Sequence, residues 1–126
     1  MRTHDRDKST MSSAATMQDW ASRLIRREAE RSQLDRDSAA RAVARRIGLA
    51  PGSLSNVARG RAKRLTVAIS DAIRSAMIRE LQREIERLTH ELQLARAIGD
   101  DPRSVKVAEI EACLARAQAL LNEGAR

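Results

Sequence analysis

An all-α fold is what this chain predicts, on three observations. Apolar residues recur at three- and four-residue spacings along most of its 126 residues. Those residues are chiefly Ala, Leu, Ile and Val, with one Trp and no Phe or Tyr. Gly and Pro, five and two in all, are too few for a chain built of turns and short strands.

Each helix follows from its own run. Met1 to Ser13 is polar and charged, without the apolar region of a signal peptide, and residues 1–15 read as a disordered tail. Met17, Trp20, Ala21, Leu24 and Ile25 then mark an amphipathic helix over 16–31. Arg23, Arg26, Arg27 and Glu28 fill its other face. Trp20 reads as a core anchor, because a stacking platform for single strands uses several aromatics. After a break near Leu34, Asp37 or Ser38 is placed to cap a second helix that runs to Ile47 and stops at Gly48. Pro51 is suited to open a short third helix through Ala58, which Gly60 ends. A long helical pattern runs from about Leu65 to Ile98, Gly99-Asp100-Asp101-Pro102 breaks it, and a last helix covers 104–122.

Charge is concentrated in one place. Ser38 to Ser70 contains no Asp or Glu but carries Arg41, Arg45, Arg46, Arg59, Arg61, Lys63 and Arg64. Those seven cations equal the formal net charge of the chain, +7. Residues 1–37 hold eight cations against seven acids, and residues 71–126 nine against ten. A local positive field between two balanced flanks attracts a polyanion, and nucleic acid is the commonest one.

The segment Ala40 to Arg59 gives that field a shape. Ala44 is small where a second helix must approach, and Gly48 is free to take the positive φ of a tight turn. Val43, Ile47, Leu49, Leu54 and Val57 fall inward in this register. Gly52, Ser53, Ser55, Asn56 and Arg59 fall outward. The spacing of Ala44, Gly48, Leu54 and Val57, and the exit Asn56-Val57-Ala58-Arg59-Gly60-Arg61, resemble the helix-turn-helix of λ-repressor and Cro-like DNA-binding proteins. The likeness covers about 20 residues tightly, and 16–80 if flanking helices count as the family's bundle. It implies that Pro51–Ala58 lies in a major groove while Ser38–Ile47 braces it. Ala50-Pro51-Gly52 departs from the pattern in offering almost no polar side chain at the helix start. Base contacts then fall on Ser55, Asn56 and Arg59, since Asn pairs with adenine and Arg with guanine. Arg41, Arg45, Ser53, Arg61, Lys63 and Arg64 are the expected backbone contacts.

Beyond residue 65 the pattern turns to heptads. Ile78, Leu81, Ile85, Leu88, Leu92 and Ala95 form one seam, and Val107, Ile110, Leu114, Ala117 and Leu121 a second. Arg87 and Glu91 can pair at i, i+4. The short 99–102 turn folds the last helix back antiparallel. The expected architecture is thus an N-terminal helix-turn-helix bundle (16–65), then a long helix and an antiparallel C-terminal helical hairpin (66–126). A helix over 66–98 spans about 50 Å, more than a small bundle covers. A second copy is the expected partner, through Ile78, Leu81, Ile85, Leu88, Leu92, Leu114 and Leu121.

Other chemistry finds no support. His4, His90 and Cys113 lack the number and spacing of a zinc set. Cys113 reads as a structural thiol, one Cys forms no internal disulfide, and the composition suits a reducing cytoplasm. No catalytic residues, cofactor or metal are expected, and no apolar run nears the roughly 18 residues that cross a bilayer. The expected function is a sequence-specific transcriptional regulator that binds double-stranded DNA as a homodimer, cytoplasmic and nucleoid-associated. Two alternatives stand beside it. One is a DNA-packaging recognition subunit forming a ring, which the chain resembles only in the architecture of phage small terminases. The other is a helical adaptor whose basic face docks an acidic protein.

Overall fold

The computed structural model describes residues 2–99 and 104–125, with side chains over 14–99 and 104–124. These residues form three N-terminal helices, a long central helix and a C-terminal helix: α1 (Arg2–Ser32), α2 (Arg36–Arg46), α3 (Ser53–Ala58), α4 (Val67–Ala97) and α5 (Val105–Ala125). Among the described residues there is no strand. Nor is any helix long and apolar enough to cross a membrane.

Helix α1 takes in residues 2–15, the stretch expected above as a tail. It contains no Gly or Pro, so no residue there stops a helix. At the other end Gln33 adopts φ 56°, and the Leu34 N–H donates to the Ala29 carbonyl at 3.1 Å. That wrapped turn is the break expected near Leu34.

The cap of α2 differs from expectation. Asp35, not Asp37 or Ser38, takes the position before the first turn, and its carboxylate accepts from the Ser38 N–H at 3.3 Å. Asp35 is extended, with ψ 165°, as a capping residue must be. Its bonds with Ser38 hold the Asp35 carboxyl below the usual pKa range.

Helix α3 is shorter than the sequence suggests. It starts at Ser53, and Pro51 and Gly52 form the preceding turn. Gly52, at the cap, has no side chain to bond the first N–H groups, and the chain closes instead through Ser53 N–H to Ala50 O at 3.0 Å.

Two compact units divide the chain, residues 1–76 and 77–126, the boundary falling within α4. In the first, α1, α2 and α3 pack pairwise around Met17, Trp20, Ala21, Leu24, Ile25, Val43, Ala44, Leu54 and Val57. Trp20 is 3% exposed and Ala44 fully buried, so the anchor and the small crossing residue are where the sequence places them. Ile47 and Leu49, expected inward, are only half-buried. Ile47 is the cap residue at the end of α2, and Leu49 follows the Gly48 turn.

In the second unit Leu88, Leu92 and Ala95 of α4 form a buried cluster with Val107 and Ile110 of α5, flanked by Cys113 and Leu114. Ser104 starts α5 by accepting from the Val107 N–H at 3.2 Å. Arg87 and Glu91 pair at 3.2 Å, as their spacing predicts.

Candidate functional site

The site is built on the turn between α2 and α3. Gly48 sits just past the α2 cap, Ile47, at φ 80°, a conformation that costs an L side chain roughly 1–2 kcal/mol. The turn closes with Leu49 N–H to Ala44 O at 2.8 Å and Gly48 N–H to Arg45 O at 3.3 Å. This pair of bonds is the Schellman arrangement, and it fixes where α3 begins. The same device ends α3. Gly60 is at φ 71°, Arg61 N–H donates to Asn56 O at 2.8 Å, and Gly60 N–H to Val57 O at 3.0 Å. A methyl group on Gly60 would come within 3.3 Å of the Gln18 amide, so α1 approaches here too. Ser22 of α1 adds a 3.4 Å hydrogen bond to the Ala58 carbonyl.

This frame presents the residues singled out from sequence. Leu54, Val57 and Ala58 are buried, and the opposite side of α3 faces out. Asn56 and Arg59 are exposed, while Ser53 and Ser55 are half-buried. Ser55 borders an open cleft of about 330 Å³ whose other walls are Asp37, Ala40, Arg41, Pro51 and Gly52. Arg41 and Arg45 are exposed on α2, and Arg61, Lys63 and Arg64 on the segment after α3.

Of the seven cations in the acid-free segment, two are engaged. Arg59 donates from Nη2 to Asp37 Oδ1 at 3.2 Å, and Arg46 donates to Glu28 Oε1 at 2.9 Å. Among the described residues, Arg41, Arg45, Arg61, Lys63 and Arg64 have no ion-pair partner. Five exposed cations without a salt bridge, of which Arg41 also lies in the field of Asp35, can meet anionic groups, and the Asn and Arg side chains carry the groups for paired hydrogen bonds.

Two residues of this region escaped the sequence reading. Glu28 was expected on the solvated face of its helix, yet it is 7% exposed. Ser32 donates to its Oε2 at 2.7 Å, Arg46 holds Oε1, and Arg31 lies at 3.7 Å. These bonds, Ser32 first and Arg46 next, hold the Glu28 carboxyl below its ordinary pKa despite the opposing effect of burial. Asp37 was considered only as a cap, and it serves instead as the partner of Arg59.

The heptad residues divide. Leu81, Leu88 and Leu92 are buried, Leu88 and Leu92 in the cluster shared with α5, while Ile78, Ile85, Leu114 and Leu121 are half-buried. Among the described residues, no three His, Cys, Asp or Glu side chains gather as a metal site. No family model, curated protein or solved structure matches this chain.

Proposed function

We propose that the chain binds double-stranded DNA through α2, the Gly48 turn and α3, in the manner of a helix-turn-helix, and acts as a transcriptional regulator. The observation that carries this reading is the set of five exposed cations without a salt bridge on α2 and after the short α3, which has Asn56 and Arg59 on its outer side. In this reading α3 enters the major groove, with Ser55, Asn56 and Arg59 at base edges. Arg41, Arg45, Ser53, Arg61, Lys63 and Arg64 meet the phosphates and sugars. The helical unit formed by α4 and α5 joins two copies, because Ile78, Ile85, Leu114 and Leu121 keep apolar surface that their own chain only partly covers.

Titration of a random-sequence duplex at several salt concentrations tests the binding. Neutralising five or six phosphates gives a slope of about −5 in log K against log salt. A slope near zero, or equal binding to an acidic protein, removes DNA from the proposal. Light scattering at micromolar concentration tests the association, with twice the chain mass expected.

A further inference from the structure

The ion pair between Arg59 and Asp37 has no evident structural duty. Its side chains are 42% and 64% exposed, and exposed pairs of this kind add little to folding. Asp35, not Asp37, makes the capping hydrogen bond of α2, and Asp37 contributes to the helix start only as a first-turn charge facing the dipole. Asp37 is also the last acid before the acid-free segment, and it lines the cleft beside Ser55 and Arg41. A carboxylate at the edge of a cationic surface weakens the attraction of that surface for phosphate.

We propose that Asp37 is a positioning residue that makes Arg59 a reader of base edges rather than a phosphate clamp. The inference rests on the DNA-binding reading above. The Arg59 side chain is tethered at both ends, by backbone at its root and by a solvated ion pair at its tip. Its root is held at the end of α3, where the backbone N–H donates to Ser55 O at 3.0 Å, and its tip is held by Asp37 on the first turn of α2. A guanidinium has five N–H donors in one plane. Asp37 takes one of them at Nη2 and leaves the others for a ligand. Its negative charge also offsets part of the Arg59 charge, so less is gained by moving that side chain onto a phosphate. The remaining donors keep their hydrogen-bonding capacity, which is what the O6 and N7 acceptors of guanine require. Phosphate attraction falls mainly to Arg41, Arg45, Arg61, Lys63 and Arg64, and selectivity to an arginine paired with a carboxylate.

The test titrates wild-type protein, Asp37→Asn, Asp37→Glu, Arg59→Ala and Asp37→Asn/Arg59→Ala against two duplexes. One is the duplex that wild type selects from a random pool, and the other is a random sequence. In Asp37→Asn, random DNA binds several-fold tighter, the preferred-to-random ratio falls about tenfold, and the salt slope steepens by about one as Arg59 turns to phosphate. The slope increment is absent from the double variant, and Asp37→Glu restores the ratio. If Asp37→Asn tightens both duplexes equally and keeps the ratio, Asp37 is only a repulsive charge and the proposal fails. An unchanged slope overturns it as well. Failure of wild type to bind either duplex removes the DNA reading itself, before any substitution is made.

Discussion

Arg46, at the last turn of α2, donates to the nearly buried carboxylate of Glu28 in α1 at 2.9 Å. The same carboxylate accepts from Ser32 one turn further along α1, so one acid joins the end of α1 to the end of α2. The Gly48 turn follows directly, so this bond anchors the helix end from which the chain leaves toward α3. One of the seven local cations therefore already has a carboxylate partner within the fold.

Replacing Glu28 with Gln should cost about 1–3 kcal/mol, since a charge-assisted hydrogen bond is lost and Arg46 loses its counter-charge. The pH dependence has a definite sign. The Glu28 pKa is lowered in the folded state, so its contribution is complete above the ordinary value of 4.5 and is lost as pH falls through the lower folded value. Urea melts at pH 7 and pH 3 should show wild type losing more stability on acidification than Glu28→Gln. Parallel losses in the two proteins would remove Glu28 from the acid sensitivity.

Gly48→Ala isolates the turn. No atom lies within 4 Å of the added methyl, so the whole effect comes from the backbone at φ 80°. The expected loss is about 1–2 kcal/mol, with Gly48→Asn losing less because Asn tolerates this region better. Thermal melts of both variants check the order.

Which parts of this molecule are legible in the sequence depends on the range of the interaction. Gly48, Gly60 and Gly99 mark helix ends because a positive φ acts locally, while Asp100, Asp101 and Pro102 of the expected 99–102 turn lie outside the described residues. Heptad spacing shows which faces of α4 and α5 are apolar for the same reason. Glu28 was illegible: a carboxylate among arginines on one helix looks solvated, and its chief guanidinium partner lies 18 positions away, where only packing brings it close. Asp37 was ambiguous rather than hidden. Asp35, Asp37 and Ser38 all offer a capping oxygen within four positions, and the choice of Asp35 is what leaves Asp37 for Arg59. The start of α3 was misread because Pro51 suits both a first helical turn and the turn before one.

Leu88→Ala should destabilise the α4–α5 packing by about 2–4 kcal/mol, because Leu88 is 5% exposed among Leu92, Ala95, Val107 and Ile110. If association of two copies runs through this unit, the variant also loses mass in light scattering at concentrations where wild type is a dimer. An unchanged melt would mean that the cluster contributes little to the fold.

If the chain binds DNA as proposed, four exposed positions should separate base reading from phosphate contact. Asn56→Ala and Arg59→Ala should each lose about 1–3 kcal/mol on the preferred duplex and much less on random DNA, because a base-edge contact discriminates. Arg61→Ala and Lys63→Ala should weaken both duplexes alike and make the salt slope shallower by about one unit each. Stability should move little in all four. The side chains are exposed, the Arg59–Asp37 pair is solvated, and the hydrogen bonds at Asn56 and Arg61 that close the turn after α3 are made by backbone atoms that alanine retains. Paired titrations with thermal melts of the same samples make the comparison. If Asn56 and Arg59 behave like Arg61 and Lys63, α3 contacts only the backbone of the duplex. The cationic surface then reads charge and shape, and the geometry set by Gly48 and Gly60 serves to hold five cations in place rather than to aim two side chains at bases.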